Sequence, residues 1–353
     1  MWLDDLFEAF HNRIALNPDR ISRAQSAYSN LESFLKDDAP LSAAFVDLFK
    51  QGSLAINTAT RPLEERQEFD LDTVFILDAS KVPGDPGSPH ELIAWIARRL
   101  REHEDYIGKV TERKRCVRIT YAGEFHVDVV PARLTGGILD PLQIPSKKEG
   151  WRLSHPRGYV NWALSIDTAT NKRFSRVTTI LKFWRDFRFG LESRPKSILL
   201  TTLVGTYIPR EGNSTAEALV VAMESLSRFL DEQLFVPFVA NPALPNENLA
   251  RDWTAEQCDL FGDRLRAAAS KARKALMLAG TDRERSIQEW IGLFGEKFPR
   301  LTSDDGKRLA EASRTGSLFV TAGGGLEDVQ PPKGVSTPVP PHRFYGASSA
   351  EKH

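Results

Sequence analysis

Cysteine is scarce in this 353-residue chain. Its two thiols, Cys116 and Cys258, stand far apart and in no metal-ligand spacing, which argues against a disulfide framework or a zinc ribbon and makes a reducing cytoplasm the expected setting. Net charge is also missing, with 47 Lys and Arg against 47 Asp and Glu. That balance gives no strong case for a nucleic-acid partner, although it leaves room for a local basic cleft. No uninterrupted apolar run approaches the roughly 20 residues needed to cross a bilayer. The opening Met1-Trp-Leu-Asp-Asp carries acids where a secretory leader carries lysine or arginine, so neither a leader nor a membrane partner is expected. There is no G-x-x-x-x-G-K-[ST], no H-E-x-x-H and no G-x-S-x-G, so P-loop ATPase, metalloprotease and α/β-hydrolase readings have no anchor. No internal repeat is visible.

What is present is an ordinary globular composition, 41% hydrophobic and 27% charged, long enough for about two domains or one fold with two lobes. Residues 1–50 carry apolar positions spaced by three and four (Leu3, Leu6, Phe7, Phe10; Leu31, Phe34, Leu35), which predict helices, with 41–49 resuming as a short helix after Pro40. From Gly52 to about Pro131 the texture changes. Thr73-Val-Phe-Ile-Leu77, Val117-Arg-Ile-Thr-Tyr121 and Phe125-His-Val-Asp-Val-Val130 predict strands, and 89–103 a helix between them. This is an α+β layer with a mixed sheet. Beyond Pro131 strand signals fade and 177–187, 197–207, 215–234, 254–279 and 286–298 predict a helical lobe. Past Leu301, Gly323-Gly-Gly325 and the prolines 331, 332, 338, 340 and 341 suit no regular element, while His342-Arg-Phe-Tyr-Gly346 is aromatic for a linker. The expected division is a core with N-terminal helices at 1–165, a helical lobe at 166–300 and a flexible tail at 301–353.

Three pieces carry chemistry. Gln51-Gly52-Ser53 follows a predicted helix, Asp70-Leu-Asp72 opens an apolar strand 17 residues past Ser53, and Asp128 sits inside another. Residues two apart on a strand share a face, so Asp70 and Asp72 project together. A carboxylate such as Asp128 in an apolar strand is costly unless compensated. Three carboxylates on one sheet repel one another, and divalent cations with oxygen ligands, magnesium or manganese, resolve the repulsion. Two such ions can activate an attacking hydroxyl and stabilise a leaving phosphate. The Gly-Ser turn offers backbone N–H groups and a hydroxyl to a triphosphate.

The arrangement resembles the polymerase-β-like nucleotidyltransferases. Within that superfamily, Gly52-Ser-Leu-Ala-Ile-Asn-Thr-Ala-Thr-Arg-Pro62 leading to Glu68-Phe-Asp-Leu-Asp-Thr-Val is similar to the cGAS/DncV-like group, the bacterial CD-NTases. Val130-Pro-Ala132, Lys182-Phe-Trp-Arg-Asp186, Ser197-Ile-Leu-Leu and Asn241-Pro-Ala-Leu-Pro-Asn246 extend the resemblance over about residues 1–280. It implies a polymerase-β-like core with a C-terminal helical lobe, and a template-independent synthase of cyclic di- or trinucleotides in anti-phage (CBASS) signalling. The substrates would be nucleoside triphosphates (ATP, GTP or pyrimidine), and the product would act on a downstream effector. Carried over, Asp70 and Asp72 bind two metal ions and the donor triphosphate, Asp128 helps activate the acceptor hydroxyl, and Gly52 and Ser53 cradle phosphates. Transfer onto a protein, an RNA or a small molecule is the alternative within the same chemistry, and a non-catalytic nucleic-acid sensor on a retained fold is the alternative outside it.

Other residues stay open at this level. Lys182 lies off the apolar face of its helix, and a solvated lysine and the family's phosphate-contacting lysine both suit it, as they do Arg185 and Lys196. Ser197 suits a base contact or a helix N-cap equally. Tyr207 reads as a core aromatic at a helix end, His126 as a sheet histidine, and His155 is unassigned. Arg113-Lys-Arg115 with Arg118 reads as a solvated hairpin tip. In related systems the C-terminus is conjugated or a peptide-sensing partner switches the synthase on, so a regulatory protein binding the tail is a further expectation. The seven residues beyond Gly346 depart from a terminus ready for conjugation.

Overall fold

The computed structural model describes residues 2–63, 68–84, 88–190, 193–212 and 214–300, and beyond them three short strands. Its contacts define two compact units, His11–Arg273 and Met1–Phe10 with Lys274–His353.

In chain order the elements are α1 (Trp2–Ile14), α2 (Pro18–Asp37), α3 (Ala39–Ala44), β1 (Phe45–Gln51), α4 (Gly52–Ala55), β2 (Phe69–Leu77) and α5 (Pro89–Glu102). There follow β3 (Val110–Glu112), β4 (Val117–Tyr121), β5 (Phe125–Leu134), β6 (Leu142–Ser146) and β7 (Gly150–Ser154). The helices α6 (Pro156–Ala169), α7 (Arg173–Arg188), α8 (Ser197–Tyr207) and α9 (Thr215–Asp231) come next. Then β8 (Ala240–Asn241), β9 (Leu244–Asn248), α10 (Ala255–Leu278) and α11 (Arg283–Phe294) close the main body.

The sheet runs β1-β2-β5-β4-β3, with β6 on β5 and β7 on β6. Among these pairs β2 and β5 are parallel and the others antiparallel. A parallel pair needs a crossover, and 89–102 supplies it as α5, started by Ser88 capping the N–H of Glu91. Alternate residues of β2 and β5, among them Leu71, Phe75, Val127 and Val129, bury one face under α2 and α5. The opposite face is split. Val74, Ile76, Ala132 and Leu142 form a small apolar cluster at one end, which leaves the other end of that face to polar side chains. An acid-bearing surface at the starts of β2 and β5 follows from this split pattern.

The sequence expectation for 41–49 needs correction. Only 39–44 is helical; Phe45-Val-Asp-Leu-Phe is β1, paired antiparallel with β2 from Phe45↔Leu77 to Gln51↔Asp72. Aromatic and β-branched residues suit a pleated surface, and Tyr28 Oη of α2 donates to Leu48 O at 2.8 Å. Gly52-Ser53 therefore follows a strand, not a helix, and lies at the edge of the sheet beside β2. The strands β6 to β9 were likewise missed because they are short and carry Pro, Gly and Asn.

Apart from the β8–β9 pair, the regular elements that follow in the same unit are helices. Four buried positions of α7, Val177, Ile180, Leu181 and Trp184, recur at three and four, and α8 is apolar around most of its circumference. The second unit packs Phe7 and Phe10 of α1 against Trp290, Phe294 and Phe298, with Phe7 edge-on to Trp290 at 4.9 Å. It also holds β10 (Phe319–Thr321), β11 (Leu326–Glu327) and β12 (Ser336–Pro338), an antiparallel sheet centred on β10. The expectation that nothing regular forms past Leu301 is thereby corrected. Pro338 is compatible because β12 is an edge strand. Residues 323–325 and 342–346 lie outside the described residues. Among those described, no helix is long and apolar enough to cross a membrane.

Candidate active site

One row of residues crosses the sheet. Gln51 of β1 pairs with Asp72 of β2, Asp72 with Asp128 of β5, Asp128 with Arg118 of β4, and Arg118 with Thr111 of β3. Directly paired residues share a face, so Asp72, Asp128 and Arg118 stand side by side. Two residues back along β2, Asp70 pairs with His126. The two-residue period that puts Phe69, Leu71 and Thr73 in the core puts Asp70 and Asp72 on the polar face.

Arg118 Nε donates to Asp128 Oδ1 at 2.7 Å and Nη2 to Oδ2 at 2.7 Å, a two-bond fork, while Nη2 also reaches Asp70 Oδ1 at 3.1 Å. These bonds push the guanidinium further above its already high range. Sequence reasoning had grouped Arg118 with a solvated hairpin tip. That is corrected here: its place on the polar face of Val117-Arg-Ile-Thr-Tyr121 was the signal. His126 Nε2 lies 2.6 Å from Glu68 Oε2 and Nδ1 3.3 Å from Asp70 Oδ1, so the histidine belongs to the acid cluster.

Asp72 has no such hydrogen-bonded partner among the described residues. Burial, with the charges of Asp128 and Asp70 beside it, pushes its carboxyl up to about 7. Gly52 is pressed against it in the left-handed region, with φ of 69°. A Cβ at Gly52 would overlap the Asp72 carboxylate, 3.0 Å from its Cγ and nearer still to Oδ2.

Gly52, Ser53, Asp70, Asp72, Lys182 and Ser197 all line one cleft of about 1190 Å³; Asp128 lines an adjoining cleft of about 780 Å³ together with Arg118. Lys182 is not a solvated helix lysine, since it is 5% exposed, with Nζ donating to Thr58 O at 2.7 Å. Burial and the neighbouring Arg185 push its amine down to about 8. Ser197 is not an N-cap. Lys196 takes that position, and Ser197 Oγ accepts from Arg185 Nη1 at 3.1 Å. Arg185, Lys196 and His155 also line the large cleft. Tyr207 does not; its ring packs on Phe229 at 5.2 Å. Tyr159, which sequence reasoning passed over, lines the cleft with its hydroxyl 2.9 Å from Thr202 Oγ1.

The oxygen-only donor set suits a hard divalent cation, and the mutual repulsion that raises Asp72 is what such a cation relieves. As the side chains lie, no three His, Cys, Asp or Glu groups among the described residues enclose an ion. Asp128 is held in the Arg118 fork, which uses one lone pair on each of its two oxygens.

Residues 1–166 match the Second Messenger Oligonucleotide or Dinucleotide Synthetase domain family. A c-di-GMP synthase of Roseivirga ehrenbergii is 29% identical, covering 98% of this chain and 97% of its own. A probable cyclic AMP-AMP-GMP nucleotide synthase of Salmonella paratyphi B is 31% identical, covering 85% and 92%. Among solved structures, Escherichia coli CdnC with ATP superposes with a TM-score of 0.68 at 19% identity, over 84% of this chain and 98% of that one. The same protein in a complex with HORMA-deltaN gives 0.63 at 18% identity, over 81% and 95%. The last two likenesses establish the polymerase-β-like fold.

Proposed function

The chain belongs to the cGAS/DncV-like nucleotidyltransferases, and from that membership we propose that it condenses nucleoside triphosphates into a cyclic di- or trinucleotide signal. The observation that carries the site assignment is the Asp72–Asp128 pair on parallel strands with Gly52 against Asp72. In this reading Asp70, Asp72 and Asp128 hold two magnesium or manganese ions. Such ions, when bound, supply charge neutralisation for the triphosphate and lower the pKa of an attacking hydroxyl.

The chain's own residues do the rest. The Gly52 backbone and Ser53 hydroxyl orient the donor phosphates, and Lys182 adds a cation from α7. Asp128 takes up the proton of the acceptor ribose hydroxyl. Ser197 and Tyr159, which line the same cleft, contact a base in this reading. Membership of the anti-phage class, a downstream effector for the product and a regulatory protein grasping residues 301–353 complete the proposal. The CdnC complex with HORMA-deltaN supports a protein partner, with the tail as its proposed place of contact. The cytoplasm, with its triphosphate pool, is the proposed setting.

The test is incubation of the pure chain with all four nucleoside triphosphates and magnesium or manganese, then phosphatase treatment and mass spectrometry. A phosphatase-resistant cyclic product, lost in Asp70→Ala, is expected. Labelled nucleotide on a macromolecule instead would establish the alternative acceptor, and unchanged activity in Asp70→Ala would overturn the site.

A further inference from the structure

Of the three acids, Asp70 is the one the fold restrains least. Asp72 is pressed against Gly52 and Asp128 sits in the Arg118 fork, whereas the Asp70 side chain is 51% exposed. An exposed aspartate samples several rotamers unless something holds it, and a metal ligand that wanders binds weakly. Two neighbours supply the restraint. The two-residue period carried back from Asp72 and Asp70 puts Glu68, just before β2, on the same face. The residue paired with Asp70 on β5 is His126, whose ring lies between the two carboxylates, Nε2 at 2.6 Å from Glu68 Oε2 and Nδ1 at 3.3 Å from Asp70 Oδ1.

This line of contacts has a fixed end. The Gly123 N–H, in the turn between β4 and β5, donates to Glu68 Oε1 at 2.8 Å. The backbone thus anchors the glutamate, the glutamate the imidazole, and the imidazole Asp70. Arg118 Nη2 meets the same Asp70 oxygen at 3.1 Å. Oδ1 is therefore committed, while Oδ2 has no hydrogen-bond partner among the described residues. The ladder does not need these polar groups at its end, because Phe69 and Phe125, the adjoining pair, already stack on the other face at 5.3 Å. Glu68 and His126 are nonetheless drawn out of water, with side chains 23% and 17% exposed, a desolvation that closing a sheet does not call for.

We infer that Glu68 and His126 are positioning residues for Asp70, fixing its Oδ1 so that Oδ2 is left to a divalent cation, an inference that rests on the synthase reading above. Neither is itself a ligand in this assignment. Carboxylates that bind metals are held in turn by an outer shell of hydrogen bonds, and losing one outer partner costs roughly 10–100-fold in metal affinity or activity.

The probe is manganese alone, titrated into the full-length chain well below its melting temperature, with calorimetric and EPR readouts. His126→Ala and Glu68→Ala are each expected to weaken manganese binding by roughly tenfold or more. Because Glu68 acts through the imidazole, the double variant should be no weaker than His126→Ala. In pyrophosphate release the defect should close as manganese is raised to saturation, with the nucleotide KM unchanged. A purely structural pair would lower the melting temperature and leave manganese affinity alone, and that result overturns the inference. Additive losses in the double variant also overturn it, as does nitrogen hyperfine coupling from His126 to bound manganese, which would make the histidine a ligand. Glu68 precedes the strand ladder, so Glu68→Ala carries the test should His126→Ala fail to fold. An Asp70→Ala chain that binds manganese like the wild type overturns the site assignment and the inference together. A wild type that binds manganese and makes no cyclic product overturns the synthase reading, and leaves the manganese comparison to decide the inference.

Discussion

Gly52 and Asp72 are in contact across the edge of the sheet, and the backbone of one leaves no room for a side chain beside the carboxylate of the other. Both the position and the φ of 69° require glycine. A Gly52→Ala chain must move either the Asp72 side chain or the turn that carries Ser53. A displacement on the order of 1 Å at a reacting centre costs about 100-fold. Pyrophosphate release should fall by at least that factor, while the melting curve reflects only the roughly 1–2 kcal/mol of a strained φ. Activity within a few fold of wild type would show that the close contact has no role in the reaction.

Asp72→Asn separates stability from activity. It removes one of three neighbouring like charges at a buried position, so in EDTA at neutral pH the variant should be the more stable, by about 2 kcal/mol. Turnover should drop by about 10³ or more. Thermal melts with and without manganese decide it, because only the wild type should gain stability from the metal.

The Arg118 fork predicts a competition. Arg118→Ala leaves Asp128 without its two-bond partner and should destabilise the chain by about 2 kcal/mol. The same change removes a cation from the carboxylates, worth about 1 kcal/mol, or roughly fivefold tighter manganese binding without nucleotide. Calorimetric titration that finds equal or weaker affinity would show that Arg118 and the ion do not exclude each other.

Lys182 gives a pH dependence. Its amine is held down at about 8 in the fold against 10.5 for an ordinary lysine. Below 8 both folded and unfolded chains carry the proton and the full cost of burying the charge is present. Between 8 and 10.5 only the unfolded chain binds it, so this residue's contribution makes stability rise with pH across that window by about 3 kcal/mol. Donor kcat/KM should move the opposite way, falling as pH climbs through about 8 and the cation is lost. Lys182→Arg should keep activity to higher pH. Lys182→Met should melt higher at pH 7, by about 1 kcal/mol after loss of the Thr58 bond, yet bind donor weakly. A pH profile identical in Lys182→Arg would remove the residue from donor binding.

Much of the site was legible because its signals are local. The alternation around Asp70-Leu-Asp72 and the apolar run around Asp128 fix face and environment within a few residues. What was hidden depends on partners distant in sequence. Phe45–Gln51 reads as either helix or strand until β2 lies beside it. Lys182 stays open between a solvated and a phosphate-contacting lysine because its bond to Thr58 O comes from 124 residues away. Arg118 looked like surface charge because the acids it forks are brought to it by pairing with β5. Short strands rich in Pro, Gly and Asn, such as β8 and β9, carry too few residues for a period to show.

The parallel pairing of β2 with β5 has a consequence in time. Asp128 follows Asp72 by 56 residues, so synthesis at about 5–20 residues per second delivers it roughly 3–11 seconds later. Until α5 has crossed over and β5 has slotted beside β2, the nascent chain carries two acids on a lone hairpin edge. It has no third carboxylate beside them. A ribosome-bound fragment that ends before β5 therefore lacks one of the three acids, and the row across the sheet exists only once that strand has paired with β2.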